Sequence, residues 1–483
     1  MRIQNSHALL STGNVRGRKA VLDILEAGLQ SGDPYENTRR LVRLENGRLL
    51  VGGRDFEPAG SPRSGDEVFD LSRTGRIYVL GAAKGVQRVA KAIEDVLGDR
   101  LTGGHVIDKK GYPVILDRIE VTLGGHPVPD EDCARGCQRI LELTRGLTEN
   151  DLVFTVAGSG VSSLLTMPVP GISIDDLRTT TYVTQVERGT KTSVLGPIRN
   201  HLDMMKGGKL SRYIHPARMI HILSIQPGSY NHLMHRNSWL HTLPDYSTFE
   251  TAVENLKAEG AWDAVPEPVR RHLEAADPSQ ETVKAEEFER MRSRIFGVMP
   301  HRESIPAQAM SCAERLGFAP VVLAEQLSGI EAGHAGIYLA AVARTIESIG
   351  EPFEPPCALF TNGEAVVTVG AEKGIGGRNQ ELALSAARSI AGSPNIVIGS
   401  VDTDGTDGPG IQFSDGPVDI PCLAGGIVDG ETAEAARRAG IDIEEELRRH
   451  NTTPALWKLD SGIVATPNIS MLDLSVALVM GRS

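Results

Sequence analysis

The sequence predicts an α/β protein of two domains, a doubly wound parallel sheet followed by a second, smaller α/β unit. Three observations carry that reading. At 483 residues the chain is longer than one hydrophobic core usually organises, the ordinary scale being about 150 residues per domain. Over the first half, short apolar runs alternate with helical periodicity, the order that gives parallel βαβ units with helices on both faces. A polar, helical stretch over 243–305, punctuated by Pro, Gly and acidic residues, then separates this series from a second one. The domains are accordingly drawn as 1–305, including the connection 243–305, and 306–483.

Taken in order, GRKAVLDILEAGLQ (17–30) sets Val21, Ile24, Leu25 and Leu29 at helical spacing, and Gly32-Asp33-Pro34 ends the helix. RLVRLENGRLLVGG reads as two short strands about an Asn46-Gly47 turn. RIYVLGAAKGVQRVAKAIEDVLG reads as strand, glycine turn and helix, and VILDRIEVTLGGHPVPDE, CARGCQRILELTRGLTEND, LVFTVAGSGVSSLL and RMIHILSI continue the alternation. The second series opens with PAQAMSCAERLGFAPVVLAEQL. It continues through a helix from Gly336 to about Ile349, strand pairs in CALFTNGEAVVTVG and NIVIGSVDTDG, and a helix from about Gly377 to Ala391.

A composition of 40% apolar and 23% charged residues excludes disordered and fibrous classes. A net charge of −12 argues against nucleic-acid or anionic-membrane contact, which needs clustered Lys and Arg, and favours a small-molecule ligand. Homo-oligomerisation stays open. The five cysteines, at 133, 137, 312, 357 and 422, contain no CxxC pair, which points to reduced thiols and a cytoplasmic protein. MRIQNSHALLSTGNVRGRKA lacks the apolar core of a signal peptide, and no run reaches the ~18 apolar residues of a membrane span.

Six stretches carry candidate chemistry. In TVAGSGVSSLL (155–165), Gly158, Ser159, Gly160, Ser162 and Ser163 follow an apolar strand and open a helix, where backbone N–H groups favour an anion; a plain tight turn is the alternative. GAAKG (81–85) puts Lys84 at a second such turn. GGHPVPDE (124–131) offers His126 and Asp130 for a ligand hydroxyl, or Asp130 as a helix cap. GPIRNHLDMMKGGKLSRYIHPA (196–217) clusters Arg199, His201, Lys206 and Lys209, as an acid-binding group or a solvated basic face. In the second domain, KGIGGRNQELALSAA places Arg378 and Asn379 at a helix start. There too, VDTDGTDGPG (401–410) sets Asp402, Asp404 and Asp407 in a glycine loop, for Mg²⁺ or Ca²⁺ or as turn-capping carboxylates. Nicotinamide-dependent reduction is disfavoured because neither glycine turn has a third glycine or a clear acidic ribose reader, Asp175 and Asp176 being ambiguous.

GAAKG, GGHPVPDE, AGSGVSSLL, IRNHLDMMKGGKL, GGRNQELALSAA and DTDGTDGPG, in that order, resemble the glycerate 2-kinases of the MOFRL type (DUF4147 plus MOFRL domains; an older label was hydroxypyruvate reductase), from about residue 17 to the end. The resemblance implies a Rossmann-like N-terminal domain and a smaller MOFRL domain, with ATP, Mg²⁺ and D-glycerate or a related small hydroxy or sugar acid meeting between them. Lys84 and Arg199 would then be catalytic, near the transferred phosphoryl. His126, Asp130, Lys206, Arg378 and Asn379 would contact the acid, Gly158 to Ser163 would cradle an anion or nucleotide, and Asp402, Asp404 and Asp407 would hold the metal.

The chain departs from the family at several loops. AGSGVSSLL stands for the usual SGGGSALL, Ile225 occupies an aspartate position, and His235-Arg236-Asn237-Ser238-Trp239 replaces a Ser-Gly-Pro-Thr loop. TNGE (361–364) replaces SGGE, and ATPNISMLDLSVALV a Gly-Pro-Thr-Gly-Thr-Asn-Val loop. His232, His235, Arg236, Trp239 and His241 arrive together in the altered stretch. The alternative function is therefore a divergent, non-kinase member that binds or converts a sugar acid or lactone, with these histidines as acid and base.

Overall fold

The computed structural model describes residues 1–188, 190–300, 303–370, 372, 374–408, 419–468 and 472–481, and the chain divides into two units, 34–301 and 1–33 with 302–483. In the first unit, β1 (Val42–Glu45), β2 (Arg48–Val51) and β3 (Glu67–Asp70) form a small antiparallel sheet. Asn46 (φ 50°) and Gly47 (φ 73°) both take the left-handed conformation that a two-residue hairpin turn demands. The main sheet contains β4 (Ile77–Ala82), β5 (Gly103–Lys109), β6 (Glu120–Gly124), β7 (Leu152–Ala157), β8 (Arg218–Leu223) and β9 (Ser293–Gly297), all parallel, in the order β6-β5-β4-β7-β8-β9. This is the doubly wound order: the chain steps outward from β4 to β6, then returns past β4 to begin again at β7. Every residue of Leu152–Ala157 is buried, which is why that strand reads as an unbroken apolar run. Leu80, Ala82 and Ile107 pack with Cys133, Cys137 and Ile140 of the helix Glu131–Thr144, while the helix Val86–Leu97 lies against β4, β5 and β7.

Two strands of this sheet go beyond the sequence reading. β5 is one, and β9 lies inside the stretch expected to be a helical connection over 243–305, which otherwise holds the helices Phe249–Ala258, Glu267–Ala275 and Ala285–Glu289. Five residues, SRIFG, are too few for periodicity to distinguish strand from helix.

The second unit holds a six-stranded sheet of β10 (Ala319–Glu331), β11 (Cys357–Val366), β12 (Ile396–Asp402), β13 (Gly425–Asp429), β14 (Gly462–Ile463) and β15 (Asp473–Val479), in the order β10-β11-β15-β12-β13-β14. Only β10 and β11 run parallel. CALFTNGEAV is one continuous strand, not a pair: Gly363 pairs with Leu327 on one side and Asp473 on the other, so the Asn-Gly turn signal yields to two flanking strands. NIVIGSVDTDG likewise contains the single strand β12.

Residues 1–33 belong to this second unit, not to the first domain drawn over 1–305. The helix Val15–Ser31 supplies the reason. A Cβ at Gly17 would meet Val397 at 2.5 Å and one at Gly28 would meet Leu474 at 2.9 Å, so the helix approaches β12 and β15 through its glycines. Arg18 is fully buried, its Nε 2.5 Å from Asp429 Oδ2, and it also donates to the carbonyls of Leu9 and Asp460. Helical periodicity reveals an apolar face without saying which sheet covers it.

Candidate active site

β4 and β7 are neighbours from which the two halves of the sheet wind in opposite directions, and a crevice forms outside the carboxyl ends of such strands. The loops there are GAAKG after β4 and AGSG after β7. They are tied together: the Lys84 N–H donates to the Ser159 carbonyl at 2.8 Å, and Asp108, at the end of β5, accepts from the Gly85 N–H at 2.9 Å. Gly160 has φ +83°, and a Cβ there would lie 2.8 Å from Lys84 Cγ and 3.2 Å from His126 Cδ2, so Lys84 and His126 both lie over this glycine. A Cβ at Gly158 would strike Ser224 at 2.6 Å. These glycines let loops close on one another, whereas the sequence reading gave that space to a ligand. The helix that follows, Val161–Leu164, is a single turn, and the N–H groups of Val161, Ser163 and Leu164 are used inside it. The Ser163 hydroxyl donates to the Gly125 carbonyl at 2.8 Å, which leaves Ser159, Gly160 and Ser162 half-exposed at the surface of the turn.

Ser162 also lines a cavity of about 20 Å³ with Arg199, Thr166, Thr180, Thr184 and Lys206. Arg199 donates to Gln185 Oε1 at 2.5 Å, and among the described residues it has no carboxylate partner. Burial pushes its guanidinium down to about 10. A desolvated cation without a counter-ion is costly, and an anionic ligand would relieve that cost. On the other side, Ser162 Oγ lies 2.8 Å from Nε2 of His241, a fully buried ring.

The rest of the 196–217 cluster is not a solvated face. Lys206 donates to Asp203 Oδ2 at 2.6 Å and Thr166 Oγ1 at 2.7 Å, Lys209 to the carbonyls of Asn200 and Asp203, and His201 bonds the Pro197 carbonyl and Glu281. All three side chains are buried, and Lys206 is held in an internal ion pair with Asp203 while it lines the Arg199 cavity. Asp130 takes its capping role, accepting from the Cys133 N–H at 3.1 Å while paired to Lys110 at 2.6 Å. His241 separates from the other histidines, since His232, His235 and Arg236 are exposed while His241 is enclosed. A joint acid–base cluster of these residues is not formed.

In the second unit the polar residues are likewise turned inward. Arg378 is paired with Asp473 at 2.5 Å, Asp402 at 2.9 Å and Glu364 at 3.5 Å, so its charge is already met. The buried Asn379 donates to Asp407 and accepts from Ser400. Asp407 caps the helix Arg378–Ser389 by accepting from the N–H groups of Asn379 and Gln380 at 3.1 and 2.9 Å. Asp404 accepts from the Thr406 N–H and hydroxyl, and Asp402 from Arg378 and the Asp404 N–H. Carboxylates committed in this way do not fit a Mg²⁺ site, and among the described residues no group of His, Cys, Asp and Glu side chains is arranged to hold a metal. The last two residues of VDTDGTDGPG lie outside the described residues. No helix among the described residues is long and apolar enough to cross a membrane.

Comparison with known proteins now adds the family. Residues 20–274 match the model of a domain of unknown function, DUF4147, and residues 357–470 match the MOFRL family. The glycerate 2-kinase of Pyrococcus horikoshii is 34% identical over 95% of this chain and 98% of its own length. The chain belongs to the DUF4147–MOFRL family. The D-glycerate 2-kinase of Thermotoga maritima is 30% identical over 88% of this chain and 96% of its own. A crystal structure of a glycerate kinase from T. maritima matches with a TM-score of 0.72 at 28% identity, covering 96% of this chain and 99% of that one. In this family member, two features escaped the sequence reading: the Ser162–His241 bond and the role of Asp203 as counter-ion to Lys206. Ser162 and His241 stand 79 residues apart, so no local spacing signals their meeting.

Proposed function

We propose that this chain transfers a phosphoryl group from ATP to a hydroxyl of D-glycerate or a related small hydroxy acid. The observation that carries the reading is Arg199, a desolvated guanidinium without a carboxylate partner among the described residues, which shares a cavity with Ser162, itself two residues from the glycine that Lys84 covers. The names of relatives that align over nearly the whole chain support it. In the reaction, the acid's hydroxyl oxygen forms a bond to the γ-phosphorus as the bond to the ADP oxygen breaks, and the hydroxyl proton is released. Such transfer depends on positioning and charge neutralisation more than on covalent help. Lys84 at its turn meets the charge of the phosphoryl, Arg199 holds an anionic oxygen, and His126 beside Gly160 is placed for the acid's hydroxyl.

A coupled assay of ADP release over three- to six-carbon hydroxy and sugar acids, with calorimetric ATP binding alongside, tests the proposal. Turnover with D-glycerate or a close analogue is expected. Absence of turnover with every acid, together with absence of ATP binding, overturns it.

A further inference from the structure

We propose that His241 positions the Ser162 hydroxyl as a hydrogen-bond donor which, together with Arg199, receives one carboxylate oxygen of the acid substrate. The inference rests on the phosphotransfer reading only for the identity of that acid.

The geometry restricts the tautomer. His241 is 1% exposed, its Nε2 is 2.8 Å from Ser162 Oγ, and its Nδ1 has no hydrogen-bond partner among the described residues. A proton on Nδ1 would leave a buried N–H unsatisfied, whereas a proton on Nε2 leaves only a lone pair, the less costly of the two. With the proton on Nε2, His241 donates to Ser162 Oγ, and the hydroxyl proton of Ser162 is left to point into the cavity. Burial, reinforced by the charges of Lys206 and Arg199, keeps the ring neutral.

The cavity then offers few free donors. Lys206 gives two of its three protons to Asp203 and Thr166, and the Thr180 and Thr184 hydroxyls donate to the carbonyls of Asp176 and Thr180. The Ser162 hydroxyl and the N–H groups of Arg199 beyond the one given to Gln185 line the same cavity, with the Thr181 hydroxyl beside them. A volume of about 20 Å³ admits little more than one water-sized group. One carboxylate oxygen fits such a space.

The loop carrying His241 is built to hold it. Asn237 Oδ1 accepts from the N–H groups of Trp239 and Leu240, while its Nδ2 donates to the carbonyls of Leu240 and Pro244 at 3.1 and 2.9 Å. Asn200, on the helix that carries Arg199, donates to the Ser238 carbonyl at 3.1 Å, and a Cβ at Gly196 of that helix would strike the same carbonyl at 2.6 Å. The loop and the Arg199 helix are therefore fixed against each other.

Calorimetric titration of the full chain with D-glycerate, without ATP, tests this. Ser162→Ala and His241→Leu should each weaken binding about tenfold, the loss of one hydrogen bond to a charged group. The double variant should be no weaker than Ser162→Ala alone, because His241 acts through Ser162. His241→Gln, whose amide can still donate to Ser162, should bind within a few-fold of wild type. Thermal melting of each variant reports on the fold. Failure of wild type to bind D-glycerate, wild-type affinity in Ser162→Ala or His241→Leu, or additive losses in the double variant would overturn the inference. Intact D-glycerate binding without ADP formation would instead remove the phosphotransfer reading and leave this one standing.

Discussion

Gly160 joins conformation to chemistry at a single atom. Its φ of +83° suits glycine, and an added Cβ would meet Lys84 Cγ at 2.8 Å. Gly160→Ala should cost about 1–2 kcal/mol of stability and lower turnover at least tenfold as Lys84 is displaced. Gly171→Ala is the control, because Gly171 has φ +90° but open space around it. It should show a similar stability loss by thermal melting with turnover unchanged; full activity in Gly160→Ala would contradict the placement of Lys84. Lys209 makes a second residue-level test. Burial pushes its ammonium from 10.5 down to about 8, so below pH 8 both folded and unfolded chains carry the proton and folding bears the cost of burying it. Between about pH 8 and 10.5 the folded chain releases the proton first, the unfolded chain binds more protons, and stability rises with pH, by on the order of 3 kcal/mol. Denaturation of Lys209→Met against wild type across that range should show the rise disappear. At this scale the sequence makes Lys84, His126 and Gly160 legible as neighbours of strand ends. It cannot separate Arg199, which keeps an unmet charge, from Lys206, whose counter-ion Asp203 is revealed only by folding.

Among the elements, the helix Val15–Ser31 bears most on the architecture. Its Arg18–Asp429 pair is almost fully buried, with exposures of 2% and 0%, and removing one partner leaves an uncompensated charge. Asp429→Asn should therefore lose about 3–5 kcal/mol. Hydrogen exchange should accelerate in the β12 and β13 amides, while those of β4 to β8 keep their protection. Acceleration in β4 to β8 instead would mean that the helix supports the first unit. The alternating strands and helices around β4, β6, β7 and β8 were readable because each strand is an apolar run bounded by glycine or charge. β9 was not, being five residues inside a helical stretch, and the Asn362-Gly363 signal misled because strand pairing on both sides holds β11 straight.

At the scale of the whole molecule, the chain is a DUF4147–MOFRL protein whose first unit sets Lys84 and His126 over Gly160, in the loop after β7, and Ser162 in one cavity with Arg199. The second unit satisfies Arg378, Asn379, Asp402, Asp404 and Asp407 internally, so the structure locates candidate ligand chemistry in the first unit. Steady-state ADP formation from ATP with D-glycerate, compared between wild type and Lys84→Met at matched melting temperature, tests the central claim most directly. The account predicts acid-dependent ADP formation that falls about 10²–10³-fold in Lys84→Met. Equal rates in the two proteins, or ADP formation indifferent to the acid, would contradict it.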